Sequence, residues 1–121
     1  MPRFSANLSL LFTELPLLDR FSAAREYGFL AVEIQFPYET PAEHIKTQIE
    51  LTGLELVLIN VPAGDLMNGG EGLAAVPSKR QEFIDAVNKA ADYADILRLK
   101  FINVLSGCCF ETDCLDQYME T

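Results

Sequence analysis

Basic residues are scarce in this chain. Lys and Arg number 9 against 18 Asp and Glu, a formal net charge of -9 over 121 residues, and no Lys/Arg cluster interrupts the acidic excess. That balance argues against nucleic acid and anionic membrane surfaces as partners. It says little about small anionic substrates, which need only a local positive group or a helix N-terminus. Long apolar runs are also missing. Half the residues are hydrophobic, yet no stretch approaches the ~20 consecutive apolar residues of a membrane helix. The start, Met1-Pro2-Arg3-Phe4-Ser5-Ala6-Asn7, lacks the apolar core of a secretory signal, so a cytoplasmic location is expected. Cysteine is confined to Cys108, Cys109 and Cys114, an odd number at the very end. A disulfide framework for the fold body is therefore excluded. Cys-Cys-x4-Cys also lacks the Cys-x2-Cys pairing and nearby His of a zinc site, which leaves reduced thiols on a tail as the expectation.

What the chain does contain is one phrase written four times, a short apolar strand followed by a turn and an amphipathic helix, ending after the fourth strand. The predicted strands are Arg3 to Leu10, Leu30 to Phe36, Leu54 to Asn60 and Lys100 to Leu105. The second and third are nearly continuous runs of apolar and β-branched residues, as strands covered on both faces should be. Between them, a helix near Glu14 to Tyr27 puts Leu17, Leu18, Phe21 and Ala24 on one side, with Thr13 as its N-cap and Gly28 as its stop. Thr40-Pro41-Ala42-Glu43 has the form of a capping box. It opens a helix lined by Ala42, Ile45, Ile49 and Thr52 and ended by Gly53. The third helix, Ser78 to about Leu97, starts with Ser-x-x-Gln and carries Phe83, Val87, Ala90, Ala94 and Leu97.

Alternation of this kind predicts an α/β fold with a parallel sheet and right-handed crossovers. A complete eight-stranded β/α barrel takes about 250 residues, so four strands amount to half of one. Functional groups should gather at the strands' C-terminal ends: residues 7 to 12, 33 to 38, 60 to 72, and Ser106 with Gly107. The longest loop, Val61 to Pro77, holds Gly64, Gly69, Gly70 and Gly72 in a spacing that matches neither a Walker loop nor a dinucleotide fingerprint. It is read either as a ligand-contacting loop or as a plain connection over the barrel mouth.

Several ordered motifs carry a resemblance to a known family. They are Arg3-Phe4-Ser5-Ala6-Asn7-Leu8-Ser9 with Leu11-Phe12, Gly28-Phe29 with Ala31-Val32-Glu33, Phe36-Pro37-Tyr38, Asn60-Val61-Pro62-Ala63-Gly64-Asp65, and Ala75-Val76-Pro77 with Glu82-Phe83. Residues 3 to 107 together resemble hydroxypyruvate isomerase. The resemblance implies a xylose-isomerase-like TIM barrel converting hydroxypyruvate to 2-hydroxy-3-oxopropanoate. The reaction class is an aldose-ketose exchange, with a small 2-oxo acid as substrate. In that family two glutamates are taken to handle the proton, and the wider group gathers a divalent metal with carboxylates, Gln and His. Those groups belong to the second half of the barrel. No catalytic residue, metal ligand or cofactor is therefore identifiable within this chain.

The positions that could line the pocket are Asn7, Phe12, Asn60, Asp65 and Glu71. Neutral amides such as Asn7 and Asn60 hold a hydroxyl or carbonyl without adding charge. Asp65 could equally cap its own loop. Glu33 matches a position inside the second strand and not the catalytic pair, which favours a structural hydrogen bond or ion pair at the rim. His44, the single histidine, falls on the outer helix and reads as solvated. Two departures from the family pattern stand out: Ile59 where some members carry His, and Gly69-Gly70-Glu71-Gly72 with the acid displaced by one. Residues 108–121 are expected to be a mobile tail outside the family pattern. The chain thus reads as the amino-terminal half of such an isomerase, inactive alone, from a truncated product or an incomplete gene model; the alternative is a non-catalytic fragment that self-associates or binds a partner through exposed strand edges.

Overall fold

The computed structural model describes residues 4–105. Arg3, Ser106, Gly107 and the tail with its three cysteines lie outside the described residues. Four parallel strands, β1 (Ser5–Asn7), β2 (Ala31–Ile34), β3 (Glu55–Asn60) and β4 (Phe101–Asn103), sit side by side in chain order. Helices α1 (Leu17–Glu26), α2 (Ala42–Thr52) and α3 (Arg80–Leu97) connect them, with short 3-10 turns at Leu66–Asn68 and Pro77–Lys79. Strand order identical to chain order is the pattern of a barrel wall, since a doubly wound sheet reverses order at a switch point. The predicted half-barrel is what the chain forms.

All three helices cover the same side of the sheet. One buried cluster joins Ala6, Val32, Ile34, Leu56 and Ile59 from the strands to Phe21 and Ala24 of α1, Ile45 of α2, and Ala86, Ala90 and Leu97 of α3. Phe21, Ile45 and Ile59 are completely buried, each contributing about 1.5–3 kcal/mol of transfer free energy. On α3 the buried stripe differs from the predicted one. Val87 is 37% exposed and Ala86 takes its place. Positions 83, 86, 90, 93 and 97 advance by three or four residues and keep one angular face, as the expected set 83, 87, 90, 94 and 97 also does, so spacing alone does not separate the two.

Local chemistry trims the predicted boundaries. β1 ends early because Asn7 turns the chain: its side-chain Oδ1 accepts from Ser9 N–H at 2.9 Å, and its carbonyl accepts from Leu10 and Leu11 N–H at 3.1 and 2.9 Å. α1 begins at Leu17, not near Glu14, with Pro16 in the N-cap position. Proline disfavours helical geometry in the residue before it, so the turn at 12–15 cannot extend the helix backwards. The capping boxes expected at Thr40 and Ser78 do not form, and neither α2 nor α3 has a side-chain cap. Gly53 does close α2 in the left-handed conformation (φ 70°), donating to Ile49 O at 2.9 Å.

Candidate functional site

An irregularity in β3 decides which side chains face the uncovered side of the sheet. Val32 pairs with Leu56, but the next residue, Glu33, pairs with Leu58, so Val57 is an extra residue in β3. Strict alternation from Leu56 would turn Leu58 and Asn60 toward the helices. The bulge reverses that. Ile59 is buried in the core beside Ile34, while Leu58 and Asn60 share a face with Glu33. β4 continues the register, with Leu58 opposite Phe101 and Asn60 opposite Asn103.

The result is a row of polar side chains at the C-terminal ends of the strands. Asn7, Glu33, Gln35, Asn60 and Asn103, with Leu58 and Leu105, line a cavity of about 240 Å³ on the side the helices leave open. Asn103 Nδ2 donates to Asn60 Oδ1 at 3.1 Å. The backbone beneath this pair is pinned on every side. Asn60 N–H donates to Gln35 O (2.9 Å), Val61 N–H donates to Asn103 O (2.8 Å), and the Tyr38 hydroxyl donates to Asn60 O. Burial, with Tyr93 nearby as a lesser cause, raises the Tyr38 pKa, so this hydroxyl stays a neutral donor at physiological pH. Gln35 N–H donates to Ser9 Oγ at 2.9 Å, joining the end of β2 to the turn that Asn7 organises.

Of the five predicted pocket positions, the structure brings two together, Asn7 and Asn60. Phe12 lies elsewhere, at φ 59° with its ring 5.5 Å from that of Tyr27. Asp65 serves its own loop: Oδ1 accepts from Gly72 N–H at 3.2 Å, its carboxylate is 3.6 Å from Lys79 Nζ, and its carbonyl accepts from Asn68 and Gly70 N–H. The Gly72 bond is the largest influence and holds the Asp65 carboxyl below the ordinary value of 3.8, against desolvation, with Lys79 adding a lesser lowering effect. Glu71 is half-buried in that same loop and does not line the cavity. Glu33 does line it, and among the described residues its carboxylate has neither the hydrogen bond nor the ion pair expected at a rim. Gln35 and Asn103 were missed. Asn103 comes into view only through the β3–β4 register, which sets it opposite Asn60.

A second, more apolar cavity of about 400 Å³ lies between the loops after β2 and β3, lined by Phe36, Tyr38, Glu39, Pro62, Ala63, Gly64 and Met67. Among the described residues no three His, Cys, Asp or Glu side chains converge as a metal site. No helix among them is long and apolar enough to cross a membrane.

A sequence profile described as "Xylose isomerase-like TIM barrel" matches residues 21–121. The chain belongs to that family. It is 37% identical over 121 residues to the 2-oxo-tetronate isomerase of Haemophilus influenzae, covering all of this chain and 47% of that protein. It is 46% identical over 107 residues to the hydroxypyruvate isomerase of Escherichia coli, covering 88% of this chain and 42% of that protein. Among solved structures, a protein described as AP endonuclease, family 2, from Brucella melitensis superposes with a TM-score of 0.91 at 40% identity, over 99% of this chain and 48% of that one. The chain spans under half the length of each of these relatives. The resemblance read from the strand-end motifs and the half-barrel architecture are both borne out.

Proposed function

We propose that this half-barrel supplies the substrate-holding wall of a hydroxypyruvate-isomerase-like site acting on a small hydroxylated 2-oxo acid. The observation that carries the reading is the set of neutral amides Asn7, Gln35, Asn60 and Asn103 converging at the ends of four parallel strands. An aldose-ketose exchange removes a proton from the carbon bearing a hydroxyl, passes through an enediolate, and returns a proton to the adjacent carbon. Oxygens on both carbons must be held in place while charge redistributes between them. Amides do this without the desolvation cost of a second charge. The proton-moving carboxylates, in this reading, stand on the other half of the barrel. The relatives named for acting on 2-oxo-tetronate and hydroxypyruvate support the substrate class.

The test is complementation. The purified chain alone, assayed with hydroxypyruvate with and without added divalent metal, should show no turnover. Mixed with the separately produced carboxy-terminal half of the Escherichia coli relative, it should gain activity, and Asn60→Leu should remove that gain. Turnover by the chain alone that survives contaminant controls would overturn the division of labour proposed here.

A second reading, a non-catalytic chain that self-associates, is favoured by the sheet's margins. β1 and β4 are its edges, and Phe101, Ile102 and Val104 on and after β4 are 64%, 39% and 46% exposed. Parallel edges left unpaired are templates for further strands. Size-exclusion chromatography decides this one: dimers or larger species support it, and a compact monomer refutes it.

A further inference from the structure

Asn103 Nδ2 donating to Asn60 Oδ1 leaves Asn60 Nδ2 and Asn103 Oδ1 uncommitted. Reversing both amides preserves the bond and again leaves one amide NH2 group and one carbonyl oxygen free, so the pattern is independent of how the amides are assigned. Asn60 is only 8% exposed, yet among the described residues no buried side-chain nitrogen or oxygen lacks a partner. Its free amide edge therefore opens onto the cavity that it lines. The bonds from Asn60 N–H to Gln35 O, from the Tyr38 hydroxyl to Asn60 O and from Val61 N–H to Asn103 O hold the pair's backbone in place before any ligand arrives.

We propose that the Asn60–Asn103 pair reads a hydroxyl group and so sets which end of a ligand enters this cavity. A hydroxyl both donates and accepts, and it satisfies both free amide positions at once. A carbonyl or carboxylate oxygen can take an N–H but offers the amide oxygen no donor, so it makes one hydrogen bond to the pair where a hydroxyl makes two. The lining of the cavity points the same way. It includes the Glu33 carboxylate and no Lys, Arg or His, so a ligand's own carboxylate is repelled while its hydroxyl end is accepted. The inference rests on the isomerase-family reading only for the choice of a hydroxylated 2-oxo acid as ligand.

The test uses the full 121-residue chain with its Asn and Gln side chains ¹⁵N-labelled, titrated with two matched pairs of probes. Hydroxyacetone and acetone differ by one hydroxyl and carry no charge; hydroxypyruvate and pyruvate are the corresponding acids. Hydroxyacetone should shift the side-chain amide resonances of Asn60 and Asn103 and bind roughly tenfold or more tightly than acetone. Asn103→Ala should abolish that preference, and the comparison on the unaltered chain stands whether or not the variant folds. Equal binding of hydroxyacetone and acetone, or shifts at neither asparagine, would overturn the proposal. Hydroxyacetone discrimination without any hydroxypyruvate binding would uphold the hydroxyl reading and remove the 2-oxo acid from the proposed function. Hydroxypyruvate and pyruvate binding equally at these asparagines would do the reverse.

Discussion

The Tyr93 hydroxyl, on α3, donates to the Thr40 backbone carbonyl 2.7 Å away, in the loop between β2 and α2. This bond crosses two β/α units and steadies the segment that also carries Tyr38, whose ring meets that of Tyr93 edge-on at 5.0 Å. Tyr93→Phe keeps the aromatic contact and deletes the hydrogen bond. The expected loss is about 1 kcal/mol of stability, read as a lower urea midpoint with an unchanged slope. No change in midpoint would mean that water replaces the hydroxyl without penalty.

The same loop shows why some of the structure was legible in the sequence and some was not. Strand and helix existence followed from apolar periodicity, a property of each segment by itself. The Thr40 capping box looked equally local, yet the helix has no side-chain cap there and the Thr40 carbonyl is engaged by a residue 53 positions away. The position of Asn60 at a strand end, beside the cavity, was legible from the strand pattern. Its partner Asn103 emerges only from pairing register across strands, and the orientation of both depends on the extra residue at Val57, which no single-strand pattern announces. Phe12 was misplaced for a related reason, because the turn organised by Asn7 leads to a left-handed residue there and carries the ring to Tyr27.

Arg20 lies off the apolar face of α1, and periodicity alone assigns it to solvent. Its guanidinium instead donates to Leu15 O through Nε (2.8 Å) and to Leu8 O through Nη1 (2.7 Å), bracing the turn that follows β1. Lysine has one compact ammonium and cannot reproduce that fork. Arg20→Lys is expected to cost roughly 1–3 kcal/mol. It should also raise amide hydrogen exchange at Leu10 and Leu11, whose N–H groups bond Asn7 O within that turn. A full retention of exchange protection would show that the turn is held by Asn7 alone.

Two glycines of the long loop should respond differently to the same change. Gly64 is at φ 61°, and a Cβ there would sit 2.8 Å from Cδ2 of the buried Leu73. Gly69 is at φ 90° with open space around it. Gly69→Ala therefore incurs conformational strain alone, about 1–2 kcal/mol, whereas Gly64→Ala adds the cost of displacing a packed leucine, a further ~1–3 kcal/mol. Thermal denaturation of the two variants side by side should rank Gly64→Ala as clearly the less stable. Equal melting temperatures would mean that Leu73 moves aside freely.

Asp65 gives this loop a pH dependence with a fixed sign. Its carboxylate is the acceptor for Gly72 N–H, and that bond, followed by Lys79, keeps the folded-state pKa below the ordinary 3.8. A carboxyl depressed on folding contributes stability that is complete above its unfolded value and disappears as pH falls through the lower folded value. The loop should therefore hold its conformation from neutral pH down past 4 and loosen only in stronger acid. The Gly72 amide resonance reports this directly, and its acid titration should have a midpoint below 3.8. Asp65→Asn keeps an oxygen acceptor for Gly72 but cannot ionise, so the titration should vanish while the loop's neutral-pH resonances stay near their original positions. A midpoint at or above 3.8 would show that the Gly72 bond does not favour the charged form. In that case Lys79, 3.6 Å away across a solvent-exposed gap, would be no more than a screened surface partner.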